Sequence, residues 1–402
     1  MWIRSLVCRV FLGGLSTTVF AADPLPSTGS AGSEFGVIFN LVQGQLQRHP
    51  DTYAIQGFLP NKGEIAPPDR GLHLAETELA IKTVFSPLLW SSVRVSLSPE
   101  GSRTSADIEE AYVETLGFWG GGKLRMGRFL SGMGYANTQH PHNWDFVDAP
   151  LAYKGFWGSA LAQDGIQFKW VAPTDLFMEW GFEAGRGNAF PGTVNTRSTP
   201  GNTALFAHVG DDVGTAHAWQ AGISHVRTSS RKRTYLDEDQ VTHAFEGSSH
   251  TWGADFVWKW APEGNASSRA FKFQSEIFQR TENGDLTYNT DEPVTDTFQT
   301  RQTGGYAQAV YQFMPKWRTG WRYDWLDSGQ VDLGPRLSLS DLPYLAAYQP
   351  RRHSLMLDYS PSELSRWRLQ LARDEARGPG QGDNQAFLQY LLSFGAHGAH
   401  KF

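Results

Sequence analysis

Residues 304–327 read GGYAQAVYQFMPKWRTGWRYDWLD. In the first half Ala307, Ala309, Tyr311 and Phe313 alternate with Tyr306, Gln308, Val310 and Gln312. Met314-Pro315-Lys316 breaks the run. In the second half Trp317, Thr319, Trp321, Tyr323 and Trp325 alternate with Arg318, Gly320, Arg322 and Asp324. A period of two belongs to a strand, whose successive side chains point to opposite faces. Each half runs to about ten residues, enough for a tilted strand to cross the hydrocarbon core of a membrane. Aromatic residues gather near the turn and at the far end, where a girdle would meet the headgroups. A soluble sandwich would turn its apolar face into a core. Here the other face carries arginines and an aspartate in mid-strand, which suits a wet lumen, so the hairpin predicts a transmembrane β-barrel.

The rest of the 402-residue chain repeats this rhythm. Strands are expected near 35–47, 72–85, 89–98, 107–117, 123–130, 164–172, 175–185 and 203–209. They continue at 216–227, 251–260, 269–280, 304–314, 317–327, 351–359, 366–374 and from 385 onward. Short Pro/Gly turns alternate with long polar connections at 48–70, 131–163, 186–202, 228–250, 282–302 and 328–350. Tight turns at one rim and long loops at the other, with an even strand number of about sixteen, characterise single-chain outer-membrane barrels. The fold class is therefore all-β, an antiparallel barrel with both termini at the short-turn rim.

The first residues read as a secretory signal: Arg4, an apolar run containing Arg9, then Val19-Phe20-Ala21 as a small-residue cleavage site. The expected organisation is a signal peptide over 1–21, a leader over 22–34 and a barrel over 35–402. The single cysteine, Cys8, falls inside the signal, so the mature chain would carry neither disulfides nor thiol chemistry. A net charge of −6, with no basic stripe bearing stacking aromatics, argues against nucleic acid as a partner. The expected partners are outer-membrane lipid, lipopolysaccharide and small polar solutes, with homo-oligomerisation left open.

Three constellations could carry function. The polar faces of the strands supply Glu110, Glu114, Glu179 and Glu183 on one side and Arg318, Arg322, Arg366 and Arg368 on another, with Arg94, Arg125 and Lys169 elsewhere. Acidic and basic arcs would set a transverse field that orients solutes and tunes ion preference; the plainer alternative is that these charges pair. The connection 131–163 holds Tyr135, His140, His142, Trp144, Asp145 and Asp148, and is the third external loop by strand count. It is the candidate constriction, against an ordinary solvated loop. His140, His142 and Asp145 could together ligate zinc, as could His397 and His400. No cofactor is expected. A Ser224 relay with His217 and His225 is the only hint of catalysis, and polar residues on a strand explain it better. Arg231-Lys232-Arg233 reads as a solvated loop tip or a contact to lipopolysaccharide phosphates.

The segments Gly127-Arg-Phe-Leu-Ser-Gly-Met-Gly-Tyr135 and Thr138-Gln-His-Pro-His-Asn-Trp-Asp-Phe-Val-Asp-Ala-Pro150, with the terminal Phe402, carry a resemblance. Over nearly the whole mature chain the sequence resembles bacterial outer-membrane, porin-like barrels. Within them it is similar to a branch sometimes labelled zinc-regulated or TonB-dependent outer-membrane receptors. A plug inside about 22 strands would not fit this length, so no plug domain is expected. The resemblance implies a sixteen-stranded barrel whose third loop narrows the lumen, and recognition of Phe402 by the barrel-assembly machinery. The expected function is a porin-like channel for passive or weakly selective diffusion of small polar solutes or ions. The alternatives are a solute- or metal-specific uptake channel, a barrel-embedded hydrolase and an adhesin-like barrel with a filled lumen.

Overall fold

The computed structural model describes residues 32–59, 65–100, 103–117, 120–193, 199–237 and 240–395. Its first strands are β1 (Gly32–Leu46), β2 (Gly71–Ser86), β3 (Leu89–Glu100), β4 (Arg103–Thr115), β5 (Gly122–Leu130) and β6 (Ala162–Val171). Next come β7 (Phe177–Gly185), β8 (Asn202–Val213), β9 (His217–Leu236), β10 (Thr242–Trp260), β11 (Ala270–Tyr288) and β12 (Val294–Met314). The last are β13 (Trp317–Asp327), β14 (Val331–Leu333), β15 (Arg351–Ser362), β16 (Ser365–Asp374) and β17 (Asp383–Gly395). Each pairs antiparallel with its neighbours, and β1 pairs with both β2 and β17, so the sheet closes into a sixteen-strand barrel. The short β14 stands outside that count: it lies along β12 above the wall, while β13 passes directly to β15. Closure gives each wall strand a partner on both sides, which a lipid environment requires because it offers the backbone no other partner.

The hairpin of 304–327 forms as its alternation predicts. Gln308 faces Arg322 and Ala309 faces Trp321 across the ladder. Pro315 and Lys316 make the turn, with Lys316 at φ 72°. Proline followed by a residue of positive φ is the type II arrangement. Trp321 and Tyr323 stack along the outer face, while Arg322 and Asp324 are buried inside. Gly36 lies opposite Gly395, and Gly32 opposite Val84 beside the tight β2–β3 turn, so the described chain ends share the short-turn rim.

Four of the expectations change. The connections 228–250 and 282–302 are largely strand, because β9–β10 and β11–β12 run on as tall hairpins. Their outer faces there, such as Thr297, Gln299 and Arg301, are polar, so the apolar alternation that marks a membrane strand is missing. Arg231-Lys232-Arg233 consequently lies within β9, and Arg233 is buried rather than a solvated tip: its Nη1 donates to Glu282 at 2.9 Å. Residues 32–34, read as leader, already belong to β1. Ser224 is buried and faces inward, while His225 turns outward onto Trp252 at 4.5 Å. Strand alternation separates the two, so the relay is not formed. The signal segment, His397, His400 and Phe402 lie outside the described residues.

Candidate functional site in the barrel lumen

Between β5 and β6 the chain leaves the wall and folds inward over residues 131–161. Its entry is held by Glu183 of β7, which accepts Ser131 Oγ and Gly132 N at 2.7 Å each, and Gln163 and Gln167 side-chain amides at 2.6 and 2.7 Å. Asn137 straps entry to exit: its Nδ2 donates to the carbonyls of Ser131 and Leu161, and its Oδ1 accepts Leu161 N. Glu276 of β11 accepts Tyr153 Oη at 2.7 Å, Tyr306 Oη at 2.6 Å and Ala136 N at 2.8 Å. Buried backbone and hydroxyl groups must find such partners, and here the wall supplies them.

The segment ends in a short helix, α1 (Leu151–Trp157), every residue of which is buried. Gly158 closes it in the left-handed conformation, φ 65°. Leu151, Tyr153, Phe156 and Trp157 pack with Phe278, Tyr306 and Leu326 of the wall and with Tyr53, Ile55 and Phe58 from the connection after β1. An apolar cluster therefore fills one level of the lumen. Burial of each large side chain there contributes about 1.5–3 kcal/mol, which keeps the segment seated.

Beside that cluster the segment is electrostatically divided. At its histidine end, His140 Nε2 lies 3.0 Å from Glu110 and Nδ1 3.2 Å from Glu109 of β4, while His142 Nδ1 lies 2.8 Å from Glu78 of β2. The two imidazoles stack with centroids 5.8 Å apart and planes within 8°. Burial and Arg94 work against a charge on His140, but hydrogen bonds to Glu109 and Glu110 outweigh them and push its pKa up to about 10. Burial lowers His142 instead, despite Glu78. The neighbours thus part: one imidazole is charged at neutral pH and the other is not.

At the aspartate end, Asp145 is paired with Lys272 and with Arg318, and accepts Gln308 Nε2 at 3.1 Å. Asp148 takes Arg352, Arg322 at 3.3 Å, Lys154 at 3.0 Å and Gln370 at 3.1 Å. Burial opposes ionisation of both carboxyls, yet the cations around them hold both below the usual carboxylate range. Arg366 adds a hydrogen bond to the His142 carbonyl at 2.6 Å. The histidine end therefore lies on an acidic wall, and the aspartate end on a basic one. Between Gln139, Asp145, Asp148, Gln274, Gln308 and Arg322 lies a cavity of about 20 Å³, room for about one water.

The strand charges expected to line the lumen all turn inward and are mostly paired. Arg94 meets Glu78 and Glu110, Arg125 meets Glu114, and Lys169 lies 3.7 Å from Glu179. Arg318 and Arg368 share Asp358, and Arg322 also holds Asp324. Of the loop residues, Tyr135 sits half-buried near Lys272, and Trp144 Nε1 donates to the Gln139 carbonyl at 3.0 Å. His140 and His142 do converge, but Asp145 is corrected out of their group: the basic wall draws it to the other side. Glu78, Glu109, Glu276, Lys272, Arg352 and Asp358 were missed. Glu109 carried a signal, since two adjacent glutamates in an alternating strand mark a bulge. Arg94 pairs with Glu110 and Val95 with Ile108, which leaves Glu109 as the extra residue and lets it accompany Glu110 inward.

No family model matches the chain. An uncharacterised protein of Aquifex aeolicus is 31% identical over 350 residues, covering 83% of this chain and 70% of the relative. The outer-membrane channel DcaP of Acinetobacter baumannii superposes with a TM-score of 0.55 at 13% identity, over 92% of this chain and 99% of that one. OmpT of Vibrio cholerae, an outer-membrane protein in its trimer form, superposes with a TM-score of 0.50 at 11% identity, over 91% and 100%. The chain belongs to one family with the Aquifex aeolicus protein, and its architecture is that of the bacterial outer-membrane, porin-like β-barrels.

Proposed function

We propose that the protein is an outer-membrane channel for small polar solutes, in which the inward segment 131–161 sets the passage. The observation that carries this is the division of the segment: His140 and His142 grip one arc of the wall while Asp145 and Asp148 grip another. Such a bridge narrows a lumen and lays a charge gradient across it, which selects by size and polarity rather than by chemistry. Against the general pore, the tight layer around Asp148 favours a narrow, solute-selective passage. The named neighbour DcaP, an outer-membrane channel, supports the same reading. The trimer form of OmpT supports a homo-oligomer.

Planar-bilayer conductance of the refolded mature protein tests it. The expected result is small, stepwise current that rises severalfold when residues 137–146 are deleted. A folded, heat-modifiable barrel that passes no current with or without the deletion overturns the channel and favours the filled, adhesin-like barrel.

A further inference from the structure

Glu78, Glu109 and His140 each present a ligand atom, and these atoms all lie within 4.8 Å of one another. Two irregularities in the wall bring them there. The bulge in β4 turns Glu109 and Glu110 inward together, and a second register shift, between Asn40 and Leu41 of β1, falls where Glu76 enters the ladder just before Glu78. Glu76 comes within hydrogen-bond reach of Glu109 and adds a further carboxyl to the group. Arg94 answers Glu78 and Glu110, and His140 answers Glu109 and Glu110, so three carboxylates share these two cations.

We propose that Glu78, Glu109 and His140 form a binding site for one divalent transition-metal cation, such as zinc, at the constriction. One imidazole nitrogen with carboxylate oxygens is the donor set that zinc and its neighbours take, whereas calcium and magnesium prefer oxygen alone. Metal–ligand bonds of about 2.0–2.2 Å need donors roughly 3.3–3.6 Å apart. His140 Nδ1 and Glu109 Oε2 stand 3.2 Å apart and the three ligand atoms lie within 4.8 Å, so a shift of about an ångström brings the set to that spacing. Glu110 takes the complementary part: it accepts the Nε2 proton at 3.0 Å and keeps it in place, so the proton that the metal displaces is the one on Nδ1, facing Glu109. The Glu109 side chain is 20% exposed and gives the cation its way in from the lumen.

The inference deepens the channel reading by naming a cation at its narrowest part, and rests on it only for the inward seat of the segment. Isothermal titration of zinc chloride into the chelator-treated, detergent-folded mature protein reads it directly. One saturable site per chain is expected. Glu109→Gln and His140→Gln should weaken it at least 100-fold, and Glu110→Gln by about 10–100-fold. The double variant His397→Ala/His400→Ala, removing the C-terminal pair, should leave it unchanged. Absence of saturable heat, indifference to Glu109→Gln and His140→Gln, or loss in the C-terminal double variant each overturns the site. Cobalt(II) titration of the unsubstituted protein needs no variant to fold: a d–d band is expected, and its absence overturns the site as well. Zinc binding in a barrel without current leaves the site standing and removes the channel; current without zinc binding does the reverse.

Discussion

Asp148 and Arg352 meet inside the barrel, the loop carboxylate against a guanidinium of β15, and both side chains are buried. Arg322 and Lys154 converge on the same carboxylate. A single acidic side chain therefore neutralises charges from two strands and from α1. This ties the helix to the wall and fixes where the segment crosses.

Removing that carboxylate should release the segment. Asp148→Ala takes the paired carboxylate from buried Lys154 and leaves Arg322 and Arg352 with only Asp324 and Asp374, and breaking a buried pair costs about 3–5 kcal/mol where partners cannot rearrange. The barrel itself should still fold, because its ladders do not involve Asp148. Lys154, now buried, becomes a tryptic site. Expected are cleavage after Lys154 in the folded variant and a rise in conductance, and protection equal to the parent protein would sink the idea.

Gly134 tests the other anchor. It lies at φ 69°, and a Cβ there would clash with Glu276 Oε2 and come within 2.7 Å of Tyr153 Oη. Gly134→Val combines an unfavourable backbone with a clash against both partners. It should expose Lys154 to trypsin as Asp148→Ala does, with no loss of heat-modifiable migration. A variant that stays protected means that the segment is held mainly by the apolar packing of α1.

The barrel was legible in the sequence because a membrane strand announces itself: lipid-facing residues must be apolar and lumen-facing ones polar. The 317–327 strand is found to the residue. Where β9 to β12 rise beyond the belt, the outer face turns polar and the signal fades, although the ladder continues through Ser249 and Glu282 and the inner face still buries Tyr235, Phe245, Leu286 and Phe298. The placement of the charges was legible too, but their partners were not. Asp145 and His142 are three positions apart, and only the folded wall shows that Arg318 draws one while Glu78 draws the other. Sequence proximity suggested one ligand set, whereas the opposed arcs of the wall divide it.

The aspartate anchor should be insensitive to mild acid. Burial works against ionised Asp145 and Asp148, but Lys272 and Arg318 at the first, and Arg352, Lys154 and Arg322 at the second, lower both pKa values. A carboxyl lowered in the folded state contributes stability that is complete above its unfolded value of about 3.9 and lost as pH falls through the folded value. Trans-lumen contacts at this end should therefore persist from neutral pH down to about 4. Single-channel conductance measured over that range should show no opening that Asp145→Asn or Asp148→Asn abolishes. An opening centred near pH 5 that disappears in either variant would contradict the depressed values.

Glu183 offers a cleaner test of how the entry is held, because its neighbours are neutral. It accepts from Ser131, Gly132, Gln163 and Gln167, so its two oxygens are fully used by donors from the loop base and β6. Glu183→Gln keeps the volume but replaces one acceptor by a donor facing donors. Hydrogen bonds to a charged acceptor are worth about 1.5–3 kcal/mol each, and at least one should be lost. The entry should loosen while Asp148 still holds the far end. Amide exchange at Gly132 and Met133 is then expected to quicken with Lys154 remaining protected from trypsin. Joint loss of protection at both places would mean that the segment moves as one rigid piece, and the two anchors could no longer be treated as independent.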